Sequence, residues 1–187
     1  MKILLALGAN LPSVWGNPAE TLSFSISRLS ERIGRNVEFV QFYVAPAFPA
    51  GSGPDFINTV IGLNCDESPE NLLEICHKIE KEARRKRDNR WGPRTLDIDL
   101  LAVDQQIRPD IDTYNEWRTL PRGEQLNRAP KELILPHPRL HERAFVLVPM
   151  ADIAPDWIHP VLGQTVLQMR DALPADERDA IKRYVGP

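Results

Sequence analysis

The chain has 187 residues, of which 42% are hydrophobic and 26% charged, enough for one globular domain with a real core. A net charge of −3 excludes a general electrostatic attraction to nucleic acid or to an anionic membrane. Cys65 and Cys76 lack metal-ligand spacing, and the apolar run in MKILLALGAN is too short for a signal h-region or a span. A cytoplasmic protein with both thiols buried and reduced is expected.

Taken in order, residues 2–7 read as a buried strand, closed by the turn-forming group Gly8-Ala9-Asn10. Leu22, Ile26, Leu29 and Ile33 then recur at helical spacing, predicting a helix over 18–33 with Asn17 as N-cap, Pro18 at N1 and Gly34 as its stop. Residues 37–44 form a second strand, 45–54 a loop too rich in Pro and Gly for regular structure, and 55–64 an alternating third strand. A second helix covers 68–87, with Ser68 as N-cap, Pro69 at N1 and Glu70 in its first turn, and a fourth strand covers 95–103. This order, β-α-β-β-α-β, is the split pattern of a ferredoxin-like α+β core.

Beyond it, residues 104–130 are polar and interrupted by Pro109, Pro121 and Pro130. They read as a surface excursion with one short helix near 115–118, offering a core little besides Trp117 and Leu120 and replaceable at little cost in stability. Pro136-His137-Pro138 is a rigid elbow, 142–151 a short helix, and 166–173 a last helix. No repeat or linker divides the chain, so 1–187 is expected to be a single domain.

The chemistry concentrates in residues 90–101, RWGPRTLDIDLL. Asp97 and Asp99 alternate with Leu96, Ile98 and Leu100, a period of two that puts both carboxylates on one strand face, roughly 7 Å apart at Cα. Hard oxygen ligands at that spacing suit Mg²⁺, including a pair of ions. Arg87, Arg90 and Arg94 stand just upstream, with Trp91-Gly92-Pro93 forcing a bend. Each part alone has a plainer explanation: a D-x-D is more often a solvated strand end, and Arg84-Arg85-Lys86-Arg87 a solvated helix face. Phe56-x-Asn58 alone is an alternating strand and Phe145 alone a core residue. His77 reads as solvated, and Trp15, Trp117 and Trp157 as packing or surface residues; His141 and His159 receive no role. The combination of acids, arginines and bend points to chemistry on a nucleotide polyphosphate.

These residues closely resemble the 6-hydroxymethyl-7,8-dihydropterin pyrophosphokinase family. Its signature is Gly-Pro-Arg, two residues, Asp-apolar-Asp and two apolar residues, here Gly92-Pro93-Arg94-Thr95-Leu96-Asp97-Ile98-Asp99-Leu100-Leu101. ALGANL at the start, FYVAPAFPAGSGPDFINTV over 42–60 and LPHPRLHERAFVLVPMADIAPDW over 135–157 resemble three further family blocks, leaving only about 108–130 outside. The resemblance implies a ferredoxin-like fold and transfer of the terminal two phosphates of ATP to the pterin hydroxymethyl oxygen, with AMP as the other product. It implies that Asp97 and Asp99 hold two Mg²⁺ ions and that Arg85 (or its neighbour Arg84), Arg87 and Arg94 grip phosphates from a mobile loop. It implies further that His137 and Arg143 contact ATP, with backbone groups near Ile98 and the segment 133–135 at the adenine, and that Trp91 closes over the pterin. The pterin ring is expected between Phe56 and Phe145, its polar edge on Asn58 and on backbone groups near Ala45 and Phe48. A monomer is expected, with ATP and the pterin as partners and no nucleic acid or membrane.

Two other readings stay open at this point. A metal-dependent nucleotidyltransferase could use the same acids, retaining AMP and releasing pyrophosphate. A ferredoxin-like RNA-binding module is opposed by the lack of exposed aromatic pairs on the strands.

Overall fold

The computed structural model describes residues 1–187 except 34–36, 48–50, 52, 85–93, 126–127 and 187. Its centre is an antiparallel sheet in the order β5-β1-β4-β3-β6, with a short β2 also on β4. The strands are β1 (Lys2–Ala9), β2 (Val37–Glu38), β3 (Tyr43–Ala45), β4 (Phe56–Asn64), β5 (Asp97–Val103) and β6 (Lys182–Arg183). α1 (Pro18–Ile33) and α2 (Pro69–Glu82) cover one face. α5 (Ala144–Ile153) and α6 (Val166–Asp171) cover the other.

The period-two pattern of β1 sorts its side chains between two cores. Ile3, Leu5 and Leu7 pack with Leu22 and Leu29 of α1 and Leu72, Cys76 and Ile79 of α2. Leu4, on the opposite side, joins Val60 of β4 and Val146, Leu147 and Met150 of α5. Each fully buried Leu contributes about 1.5–3 kcal/mol. Between them these two layers of side chains cover both faces of the sheet. α1 has the predicted bounds, because Asn17 and Glu20 cap it reciprocally: Asn17 Oδ1 accepts the Glu20 N–H at 3.0 Å, and Glu20 Oε2 the Asn17 N–H at 2.8 Å. Its expected stop, Gly34, lies outside the described residues.

Several expectations need correction. The second strand is not continuous over 37–44: Val37 pairs with Leu63 and Tyr43 with Asn58, a register slip of one residue. Between the two pieces the Phe39 and Phe42 rings meet tilted, centroids 4.8 Å apart, and the Thr59 hydroxyl donates to the Gln41 carbonyl at 2.9 Å. α2 begins as predicted, with Ser68 Oγ accepting the Asn71 N–H, but ends at Glu82 rather than 87. Arg84 there takes φ +56, a left-handed conformation that closes a helix. The last predicted helix is shorter, ending at Asp171, and is followed by α7 (Ala175–Asp179) and β6, both too short to give a periodic signal.

The largest correction concerns the excursion. It carries α3 (Ile111–Thr119), capped by Asp110, and α4 (Arg122–Gln125). Tyr114 on α3 is fully buried, its hydroxyl 2.9 Å from Nε2 of the equally buried His159. The segment is therefore pinned to the core by a residue that its polar composition concealed. It is rooted where Arg108 bridges Leu135, just past the C-terminal end of β5.

Candidate active site

Four strand ends meet at one edge of the sheet. In the register across them, Asp97 of β5 faces Gly8 of β1, Gly8 faces Asn58 of β4, and Asn58 faces Tyr43 of β3. Asp99 lies one step along, opposite Ala6. Ile98 and Leu100 enter the α1–α2 core, so both carboxylates point to the other face, as the spacing predicts. That face is covered further along by α5, but over this row it is shallow, because Ala6 and Gly8 supply almost no side chain. The Asp97 and Asp99 side chains remain 21% and 38% exposed, enough to be reached by ligands.

Cations ring the acids. The Arg94 guanidinium donates to Asp97 Oδ2, and Arg143 lies 3.7 Å from Asp99 Oδ2. Burial lowers the Arg143 pKa from its usual value, which Asp99 partly offsets, so a largely enclosed charge stands beside the acids. Arg143 is also the residue before α5, whose first turn has no capping side chain among the described residues, so the positive end of that helix adds to the field. Burial, then Arg143 and Arg139, hold His137 well below the ordinary histidine range. Its Nδ1 accepts the Arg139 N–H at 3.1 Å, leaving Nε2 as the donor of a neutral ring. The arrangement is a pair of hard anionic ligands within a set of donors that suit phosphate oxygens.

On β4, Asn58 is 6% exposed and its Nδ2 has no hydrogen-bond partner among the described residues. A buried, unmatched amide donor costs stability unless a ligand uses it. It is held over Gly8, where an added Cβ would stand 2.8 Å from Asn58 Oδ1. Phe56, half-buried, pairs with Ala45 of β3. Phe145, in the first turn of α5, is 39% exposed with Arg143 5.6 Å over its ring. Of the other expected residues, Phe48, Arg85, Arg87 and Trp91 lie outside the described residues. Ile98 sits on the outer edge strand, and its N–H is taken by Glu80 Oε1 at 2.9 Å.

Sequence reasoning missed three residues here. Gly8 belongs to β1, not to a turn; its place in the series Leu4, Ala6, Gly8 was the available signal for a shallow face. Glu80, 3% exposed on α2, holds β5 through Ile98, and a Glu amid Cys76 and Ile79 on the apolar stripe of that helix was its trace. Asn10, 4% exposed, organises the loops around the site, and nothing local distinguishes it from a turn residue. A shallow groove of about 590 Å³ lined by Trp15, Phe24 and Tyr184 lies on the α1 side, away from the acids.

A family model described as 7,8-dihydro-6-hydroxymethylpterin-pyrophosphokinase matches residues 4–155. A 2-amino-4-hydroxy-6-hydroxymethyldihydropteridine pyrophosphokinase of Synechocystis is 35% identical over 167 residues, 89% of this chain and 73% of that protein. One from Methylorubrum extorquens is 34% identical over 183 residues, 97% of this chain and 98% of that protein. Among solved structures, an HPPK-DHPS in complex with substrates superposes with a TM-score of 0.59 at 11% identity, over 91% of this chain and 45% of that one. Plasmodium falciparum HPPK-DHPS gives 0.60 at 14% identity, over 98% and 47%. The chain thus spans just under half the length of those solved chains, and they show its fold alone. With most of its length under the family model and close to full-length relatives of the same name, the chain belongs to the 7,8-dihydro-6-hydroxymethylpterin-pyrophosphokinase family.

Proposed function

We propose that the chain transfers pyrophosphate from ATP to the hydroxymethyl group of 6-hydroxymethyl-7,8-dihydropterin, giving AMP and the pterin diphosphate, a step of folate biosynthesis. The observation that carries this reading is the cross-strand row, in which a carboxylate (Asp97) and an amide unmatched among the described residues (Asn58) face one another over Gly8. One end suits metal and phosphate, the other a polar heterocycle, and the reaction must join the two. The pterin hydroxyl oxygen attacks the β-phosphorus, its proton leaves, and the bond from that phosphorus to the AMP oxygen breaks.

The donor set fits Mg²⁺. Among the described residues no cluster of three or more His, Cys, Asp or Glu forms a cage, and Mg²⁺ is commonly held by one or two carboxylates with substrate phosphates completing its shell. Asp97 and Asp99 would hold two such ions, which supply charge neutralisation on the phosphates and a lowered hydroxyl pKa. Arg94, Arg143 and the neutral His137 would orient phosphate oxygens by donation, and Arg85 and Arg87 are assigned to the same task by family resemblance. Asn58 would donate to the pterin edge, with Phe56, Phe145 and Trp91 against its ring and Ala45 and Phe48 offering main-chain groups. Positioning and charge stabilisation account for most of the catalysis in such transfers.

The strand order, with every pairing antiparallel, supports a ferredoxin-like core in which the four main strands stand in the order fourth, first, third, second. We take residues 1–187 as a single domain on that core. An RNA-binding role is opposed by the helices that cover both sheet faces. Incubation with ATP, Mg²⁺ and the dihydropterin should yield AMP only when all three are present. ADP as main product, or free pyrophosphate with AMP retained, overturns the assignment.

A further inference from the structure

Asn10, immediately after β1, makes contacts that no strand ladder requires. Its Oδ1 accepts the Arg94 N–H at 2.7 Å, and its own N–H donates to the Arg94 carbonyl at 3.0 Å. The Leu11 N–H reaches that carbonyl too, at 3.1 Å. On its other side, Asn10 Nδ2 donates to the Pro54 carbonyl at 3.0 Å. Arg94 precedes Asp97 by three residues, and Pro54 precedes Phe56 by two. β5 starts only at Asp97 and β4 only at Phe56, so neither tethered residue is held by the sheet. One buried carboxamide therefore joins the lead-in to the metal-side strand to the lead-in to the strand bearing Phe56 and Asn58.

We infer that Asn10 is a positioning residue that couples the nucleotide half of the site to the pterin half, an inference that rests on the pyrophosphokinase reading. The chemistry of the side chain suits the task. A carboxamide sets a donor nitrogen and an acceptor oxygen in one rigid plane, and both ends are used at once. A displacement of the Pro54 segment on pterin binding pulls on Nδ2, and the same plane carries it through Oδ1 to Arg94, whose guanidinium rests on Asp97. Fixing either segment in its liganded position therefore favours the matching position of the other, which is a coupling free energy between two ligands. Asp at this position would keep the acceptor for Arg94 and lose the donor to Pro54, setting an anion against a carbonyl. It separates the two halves of the connection without emptying the site.

The test is calorimetry on the full chain with 6-hydroxymethyl-7,8-dihydropterin, in the absence and presence of Mg²⁺ and α,β-methylene ATP, which cannot be cleaved between its α and β phosphorus atoms. In the natural chain the nucleotide should raise pterin affinity by a factor within the usual range of about 5–150. Asn10→Asp should hold nucleotide affinity within about threefold while that factor falls to near one, and Asn10→Ala should behave alike wherever it folds. A purely structural role would lower the melting temperature and leave the factor unchanged, which overturns the inference, as does a natural chain whose two ligands bind independently. Failure of the natural chain to bind the pterin at all overturns the pyrophosphokinase reading together with it.

Discussion

At Asp97 the negative charge is already partnered by Arg94, and at Asp99 by the more enclosed Arg143, so the fold tolerates both acids without a metal. Asn replacements keep the shape of each side chain while removing its charge. Asp97→Asn and Asp99→Asn should retain the circular dichroism of the natural chain and lose several powers of ten in turnover, since metal-borne charge stabilisation is worth several kcal/mol. Near-normal rates in either folded variant would refute the metal site. Asn58 and Gly8 make a finer test of the pterin half. Asn58→Ala removes a donor that none of the described residues uses, so pterin affinity should drop by about 1–3 kcal/mol with little loss of stability. In Gly8→Ala the new methyl meets Asn58 Oδ1 at 2.8 Å, and the amide, being the end of a flexible side chain, gives way. That variant should fold, bind nucleotide as before and bind pterin more weakly, all readable by calorimetry. Unchanged pterin affinity in both variants would show that Asn58 faces something else.

Among the elements, the excursion between β5 and the His137 elbow differs most from its sequence reading. Its surface is internally laced, with Arg128 2.5 Å from Glu116 and stacked 5.2 Å over Trp117, and this polar exterior is what the composition reports. Tyr114 is what it hides, because a lone aromatic three residues from Trp117 gives no periodicity. Tyr114→Phe should cost about 1–3 kcal/mol in urea unfolding by leaving the buried His159 N–H without its partner. Replacing 110–127 with a Gly-Ser link also empties the Tyr114 site, so a loss of about 3–5 kcal/mol is expected, not the near-neutral outcome that loop length alone suggests. Turnover should stay close to normal in that deletion, because the segment is rooted past Val103, roughly 20 Å along β5 from Asp97. A large rise in the ATP KM would instead make the segment part of the nucleotide site. Elsewhere legibility followed the strength of the local signal. The α1 cap, the alternation of β5 and the paired acids were plain because each is encoded within a few residues. The break between β2 and β3, the shallow row at Gly8 and the Asn10 connections depend on what a neighbouring strand or loop presents, which no local window contains.

For the molecule as a whole, the site occupies one edge of the sheet, where β1, β4 and β5 present Asn10, Phe56 and Asp97, and α5 starts above them. The opposite edge carries the chain start, with the Met1 ammonium on the Cys65 carbonyl at 2.8 Å and Trp157 Nε1 on the Asp104 carbonyl at 2.9 Å. Behind Trp157 lies a buried histidine whose protonation opposes the fold. Burial, then His141 and Arg118, lower the His159 pKa from 6.5 to about 4, and its Nδ1 accepts the N–H groups of Val161 and Leu162. Between these two values the unfolded chain binds a proton that the folded chain refuses, so stability rises with pH across the window. The stabilisation is complete above about pH 6.5 and is lost progressively as pH falls toward 4, by at most about 3 kcal/mol. His137 and His141, both lowered in the same direction by burial first, add to the slope, so the His159 share needs a variant to isolate it. His159→Asn keeps an acceptor near the Val161 and Leu162 N–H groups and removes the titration. Urea unfolding of both proteins from pH 7.5 to 4.5 should then show a shallower fall in the variant, whatever its stability at neutral pH. Parallel curves below pH 6.5 would mean that His159 takes up its proton in the folded chain as readily as in the unfolded one.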